Sequence, residues 1–165
     1  MTVRNSLRGR RNKAAGDSCE AWVEAQHDMA KRLGALAHVV HNEPHAKYIR
    51  GRLIYTSAGV ADYTGILNNG TYVAIECKST SKDALPRAAI KPMQARHLDA
   101  VAKAGGVALL LVEFRGRALS KFAIPWDKVP WTTKRTAESL SFDAELLYPW
   151  TIYPDECYLS GLGGP

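Results

Sequence analysis

The chain has 165 residues, 46% of them hydrophobic, and 22 Lys and Arg against 16 Asp and Glu give it a formal net charge of +6. That length supports one domain with a real core and is too short for two ordinary ones, while the charge favours an anionic partner, nucleic acid before membrane. No apolar run approaches a spanning helix, the basic N-terminus lacks a secretory apolar segment, and Cys19, Cys77 and Cys157 form neither a zinc pair nor a disulfide framework, so a reducing cytoplasm is the expected setting.

Residues 1–15 carry Arg4, Arg8, Arg10, Arg11 and Lys13 with too little apolar surface to fold alone, and are expected to form a flexible basic arm ahead of one domain over 16–160. The arm either tracks phosphates or only keeps the chain soluble. Asp17-Ser18-Cys19-Glu20 opens a helix in the manner of a capping box, and Gly34 ends it. Its apolar stripe is Cys19, Trp22, Val23, Met29, Ala30 and Leu33, with Glu20 at the flank, either as the capping acid or turned toward Asp62. Leu36 to Val40 is the first predicted strand, and the histidines after it lack the spacing of a zinc motif, which makes them surface or DNA-facing groups. The stretch from Lys47 to Ser57 reads as extended or loop.

The segment from Gly59 to Thr80 predicts two strands joined at Asn69-Gly70, a dipeptide suited to the positive φ angles of a tight hairpin. Lys82, Arg87, Lys91 and Arg96 then continue a basic run from Lys78, broken by Pro86 and Pro92. Pro92 suits the first turn of a helix that Gly105-Gly106 closes, with Gln94, Leu98 and Val101 on its buried face. A buried amide needs a partner, and Gln94 either bonds backbone or water or turns to the acidic residues upstream. Val107 to Phe114 is a strand covered on both faces, with Leu119 to Ile124 its antiparallel neighbour. The aromatic-rich tail from Ser139 must pack on the domain's own flank or on a second subunit, and Gly161 to Pro165 is expected to be disordered.

On the second strand of the hairpin, alternation sends Val73, Ile75 and Cys77 one way and Ala74, Glu76, Lys78 and Thr80 the other. With Asp62 on the neighbouring strand, two carboxylates and one ammonium surround a single spot. Hard divalent ions such as Mg²⁺ take that oxygen set, and a lysine beside it would stabilise charge on a phosphate or help to activate water. The plain alternative is that Glu76 and Lys78 form the solvated face of an edge strand.

At these positions the sequence resembles the PD-(D/E)XK nuclease superfamily, with Asp62 as the acid and Glu76-Cys77-Lys78 as the (D/E)-x-K element, although Ala61 replaces the proline of the signature. Asp62-Tyr63-x-Gly65 followed by Glu76-x-Lys78-x-Thr80 is most similar to RecU-type Holliday junction resolvases, and the Gln94-x-x-x-Leu98 pattern resembles them again. The fold reading is α/β, a mixed central sheet of about five strands flanked by helices, and the resemblance implies a restriction-endonuclease-like core. It further implies a metal-dependent endonuclease acting on four-way junctions as a homodimer, with Mg²⁺ as cofactor and Mn²⁺ a possible substitute. Asp62, Glu76 and the Cys77 carbonyl would hold the ion, Glu20 would complete its shell as an acid on the first helix, Lys78 would stabilise charge, and Gln94 would hold water or phosphate. The DNA-binding set would be Arg8, Arg10, Arg11, Lys13, Lys82, Arg87, Lys91 and Arg96. Family members carry a junction-entering stalk before the catalytic Asp, for which this chain has little room, and a further upstream acid with no counterpart between Lys47 and Ala61. The alternatives are another nuclease of the superfamily, acting on flaps, ends or duplex, and a DNA-binding protein without chemistry.

Overall fold

The computed structural model describes residues 19–42, 45–49, 52–56, 60–118, 120–134, 137–153, 156–160 and 162. Helix α1 (residues 19–32) ends as its apolar stripe runs out: Gly34 takes a φ of 72°, and Ala35 N donates to Ala30 O at 2.9 Å. There follow β1 (Leu36–His41), β2 (His45–Ile49), β3 (Arg52–Thr56), β4 (Tyr63–Leu67), β5 (Tyr72–Thr80), β6 (Ala84–Pro86), α2 (Pro92–Lys103), β7 (Val107–Phe114), β8 (Lys121–Pro125), β9 (Thr132–Lys134), β10 (Ala137–Ser141) and α3 (Ala144–Leu147).

The central sheet has five strands in the order β1-β4-β5-β7-β8. It is mixed: β5 pairs in parallel with β7, and the other three pairings are antiparallel. Parallel pairing requires a crossover, which β6 and α2 supply. Pro92 stands in the first turn of α2 and Gly105, at φ 81°, follows its end, as the sequence predicts. Two apolar layers cover the sheet. Val23 and Ala30 of α1 pack with Tyr63, Val73, Ile75, Cys77, Leu109 and Leu111 on one face, while Leu98 and Val101 of α2 pack with Ala74, Leu110, Val112 and Phe114 on the other. Each large aliphatic side chain taken fully out of water stabilises the fold by about 1.5 to 3 kcal/mol, so strands buried on both faces anchor whatever they carry.

Several expectations need correction. The hairpin between β4 and β5 has a three-residue loop, since Leu67 and Thr71 close around it with a 2.9 Å bond and Gly70 takes a φ of 85°. The stretch read as extended or loop takes the extended form, a separate antiparallel ribbon of β2 with β3 paired at Lys47↔Ile54 and Tyr48↔Leu53. A further three-stranded sheet, β6-β10-β9, was not expected: its strands are short, and β6 lies far in sequence from the neighbouring pair β9 and β10. The aromatic tail packs on the domain's own flank: Leu140, Leu147, Phe142 and Trp150 join the α2 layer, and Cys157 and Leu159 cross to the α1 layer with Leu162 against them. The N-terminal arm, the Asp17-Ser18 opening of α1, Gly161 and residues 163–165 lie outside the described residues.

Candidate active site

The pairing register explains why Asp62 meets Glu76. β4 and β5 pair Tyr63 with Ile75, so one step further along the same register sets Asp62 opposite Glu76. The chain bends at residues 60–62, and the Asp62 carboxylate takes over what the ladder would have done: its Oδ2 accepts the Cys77 N–H at 2.8 Å. Tyr63 holds the base of this bend. It is buried, stacked on His41 with ring centroids 4.4 Å apart, and met edge-on by His27 at 4.9 Å. Gly65 is required one turn of the pleat later, because a Cβ there would lie 2.3 Å from the His38 carbonyl oxygen where β1 shifts register.

β5 is the middle strand of the sheet, and that excludes a solvated edge for Glu76, whose side chain has 0% exposure. Lys78 Nζ donates to Glu76 Oε1 and, at 3.1 Å, to the Cys77 carbonyl, and lies 3.6 Å from Asp62 Oδ2. Glu76 Oε2 is buried without a hydrogen-bond partner among the described residues. Burial, with the Asp62 charge adding to it, pushes the Glu76 carboxyl up to about 7 against the pull of Lys78. Burial acts to lower Lys78, but the Asp62 and Glu76 carboxylates outweigh it and leave its ammonium raised. Two carboxylates thus share one ammonium in a site short of positive charge.

That shortage is what a divalent cation would relieve. Asp62, Glu76 with its unpartnered oxygen, and the Cys77 carbonyl form an all-oxygen donor set, and Mg²⁺ commonly takes one or two carboxylates with the rest of its shell from water and phosphate. The residues present fit the ion. Among the described residues no group of three or more His, Cys, Asp or Glu gathers as a metal cluster, so Glu20 does not join the two acids directly.

The remaining sequence-predicted residues are dispersed around this centre. Glu20 is half-buried on α1, and its backbone carbonyl accepts from the Tyr63 hydroxyl at 3.4 Å. Gln94 is buried on the same face as Glu76, with its Oε1 accepting from Lys91 N at 2.9 Å; it therefore caps α2, and its Nε2 is not used by that cap. The Cys77 thiol points into the α1 layer, where burial raises it, and takes no part. Lys82, Lys91 and Arg96 are exposed. Arg87 instead lies over the rings of Trp126 and Trp131, 5.2 and 5.0 Å from their centroids, and pairs with Glu138 at 3.3 Å. Arg8, Arg10, Arg11 and Lys13 lie outside the described residues. Sequence reading passed over Asn42, which touches the Asp62 bend directly; the only local signal was a polar residue ending an otherwise pairing-competent strand.

The family model described as Recombination protein U matches residues 29–149, well over half of the chain. The chain belongs to the RecU family. RecU proteins are Holliday junction resolvases of a kind that generally uses divalent metal ions, so this is a structure-selective endonuclease that binds branched DNA. The RecU match includes Asp62, Glu76, Lys78 and Gln94 and starts within α1, past Glu20. Among solved structures the chain is similar to Hjc, a Holliday junction resolvase from the archaeal hyperthermophile Archaeoglobus fulgidus, at 14% identity and a TM-score of 0.46, covering 83% of this chain and 98% of that one. No curated protein sequence matches it. No helix among the described residues is long and apolar enough to cross a membrane.

Proposed function

We propose that this RecU-family chain is a Mg²⁺-dependent resolvase, with Mn²⁺ an acceptable substitute, that works as a homodimer and cuts four-way junctions by paired symmetric nicks. The observation that carries the reading is the buried Glu76 carboxylate, with one oxygen unpartnered, across from Asp62 and against Lys78. Asp62, Glu76 and the Cys77 carbonyl would hold the ion, which when bound would polarise a phosphate oxygen and lower the pKa of water. Lys78, kept charged by both carboxylates, stabilises negative charge on the phosphate under attack rather than serving as a base. Asp62 has its Oδ2 on the Cys77 N–H, which sets the carboxylate plane. The Nε2 of Gln94, on the Glu76 face of the sheet, is a donor for water or a phosphate oxygen, and Glu20 would act on the ion's shell through water.

Two-fold symmetry supplies two such sites to a junction that is itself close to symmetric, so the two nicks fall on matching strands. Lys82, Lys91 and Arg96, with the basic arm over 1–15, supply phosphate contacts around the domain over 16–160. The separate ribbon of β2 and β3 leaves the sheet just ahead of Asp62 and reads as a short stalk. The test is to incubate the protein with a labelled immobile junction and a matched linear duplex, with Mg²⁺ or with chelator, beside Glu76→Gln. Symmetric Mg²⁺-dependent nicks confined to the junction and lost in the variant are expected. Equal cutting of both substrates would point instead to a general nuclease, and cutting retained by Glu76→Gln would overturn the assignment of the ion-binding residues.

A further inference from the structure

Asn42 follows the last paired residue of β1 and, in the register His41↔Tyr63, stands opposite Asp62. It bonds the bend at three points. Its backbone N–H donates to the Asp62 carbonyl at 2.8 Å, and its Nδ2 donates to the Ala61 carbonyl at 3.0 Å and to the Thr64 hydroxyl at 3.1 Å. Both hydrogens of one amide are therefore engaged, on either side of Asp62.

The consequence lies on the other edge of β4. Continued past Tyr63↔Ile75, the ladder would set Ala61 opposite Cys77, and the Ala61 carbonyl would receive the Cys77 N–H. That carbonyl instead faces Asn42, and the Cys77 N–H goes to Asp62 Oδ2. A buried N–H needs an acceptor, so removing the Ala61 carbonyl from competition leaves the Asp62 carboxylate as the group that satisfies it. We propose that Asn42 is the positioning residue of the acidic site: its amide clamps Ala61 and Thr64, diverts the ladder, and so fixes the Asp62 carboxylate on the Cys77 N–H with Oδ1 left for the ion. The role in ion binding rests on the metal reading above; the clamp itself does not.

The experiment separates the two. Amide hydrogen exchange at Cys77, followed by NMR in chelator, reads the Asp62 bond without any metal, and calorimetric titration with Mg²⁺ reads the ion. Asn42→Ala should speed Cys77 exchange about tenfold and weaken Mg²⁺ by about 10- to 100-fold, the range seen when groups that orient metal ligands are removed, with junction affinity in chelator within about twofold of wild type. Thr64→Val, which loses one hydroxyl without changing shape, should move both readings the same way by about threefold, and Thr64→Ser should restore them. If Asn42→Ala fails to fold, the Thr64 pair carries the test. Unchanged Cys77 exchange in Asn42→Ala, or in Thr64→Val with Asn42→Ala unfolded, would overturn the clamp. Faster exchange in a protein whose wild type takes up no Mg²⁺ would uphold the clamp and sink the metal reading.

Discussion

The buried Glu76 carboxylate makes stability without metal depend on pH, and the effect can be worked out in advance. Its proton affinity is raised from the model-compound value of 4.5 to about 7, first by burial and then by Asp62. An acid raised in the folded state binds its proton more tightly folded than unfolded, so this contribution is full below 4.5 and is lost as pH rises through about 7. Integrated between pH 5 and pH 8, the loss comes to roughly 2 to 3 kcal/mol. Because the side chain is fully buried, solvent does little to screen it. Glu76→Gln removes the titration, while Lys78 keeps Asp62 at 3.6 Å and the Cys77 carbonyl at 3.1 Å, so its ammonium is not stranded. Urea denaturation in chelator should show the variant gaining on wild type by about 2 to 3 kcal/mol between pH 5 and pH 8, other titrations cancelling in the difference. Adding Mg²⁺ at pH 8 should restore stability to wild type alone, by RT ln(1 + [Mg²⁺]/Kd). Wild type and variant running parallel across that range would refute the reasoning, since the carboxylate would then carry no electrostatic strain for an ion to relieve.

Asp62→Asn keeps an oxygen for the Cys77 N–H but not the charge, and should lower Mg²⁺-dependent junction cleavage by at least about 10²-fold in single-turnover assays while junction binding in chelator persists. Gly65→Ala would drive a Cβ to 2.3 Å from the His38 carbonyl and 3.1 Å from Val39 Cα, and should cost about 2 to 3 kcal/mol in urea denaturation as β1 is pushed aside. Arg87→Ala removes a cation held over two indole rings and should lower stability by about 1 to 2 kcal/mol with the salt dependence of junction binding unchanged. Arg96→Ala, from an exposed position, should do the reverse, reducing the slope of log affinity against log salt by about one.

Local rules made much of this chain legible before any fold was known. The two-residue period of a strand is enough to put Glu76 and Lys78 on one face and Cys77 on the other. Gly70, Pro92 and Gly105 mark a turn, a helix start and a helix end because each is the cheapest residue for its backbone angles. The order of helix and strands around Asp62 followed from those marks. What the period could not say is that β5 lies in the middle of the sheet, since that depends on β7 pairing beside it across a crossover. The burial that raises Glu76, and with it the demand for a cation, is therefore a property of the fold. The place of Gln94 on the buried face of α2 is legible from helical spacing, yet its bond to Lys91 N depends on where α2 begins in space. Asn42 was invisible for the same reason: its partners, Ala61 and Thr64, are brought to it by strand pairing across an intervening ribbon. Sequence by itself determined which residues could do the chemistry, because spacing along a strand is covalent; only the tertiary structure decided which were desolvated, clamped and brought face to face, because pairing and burial join segments that the chain leaves far apart.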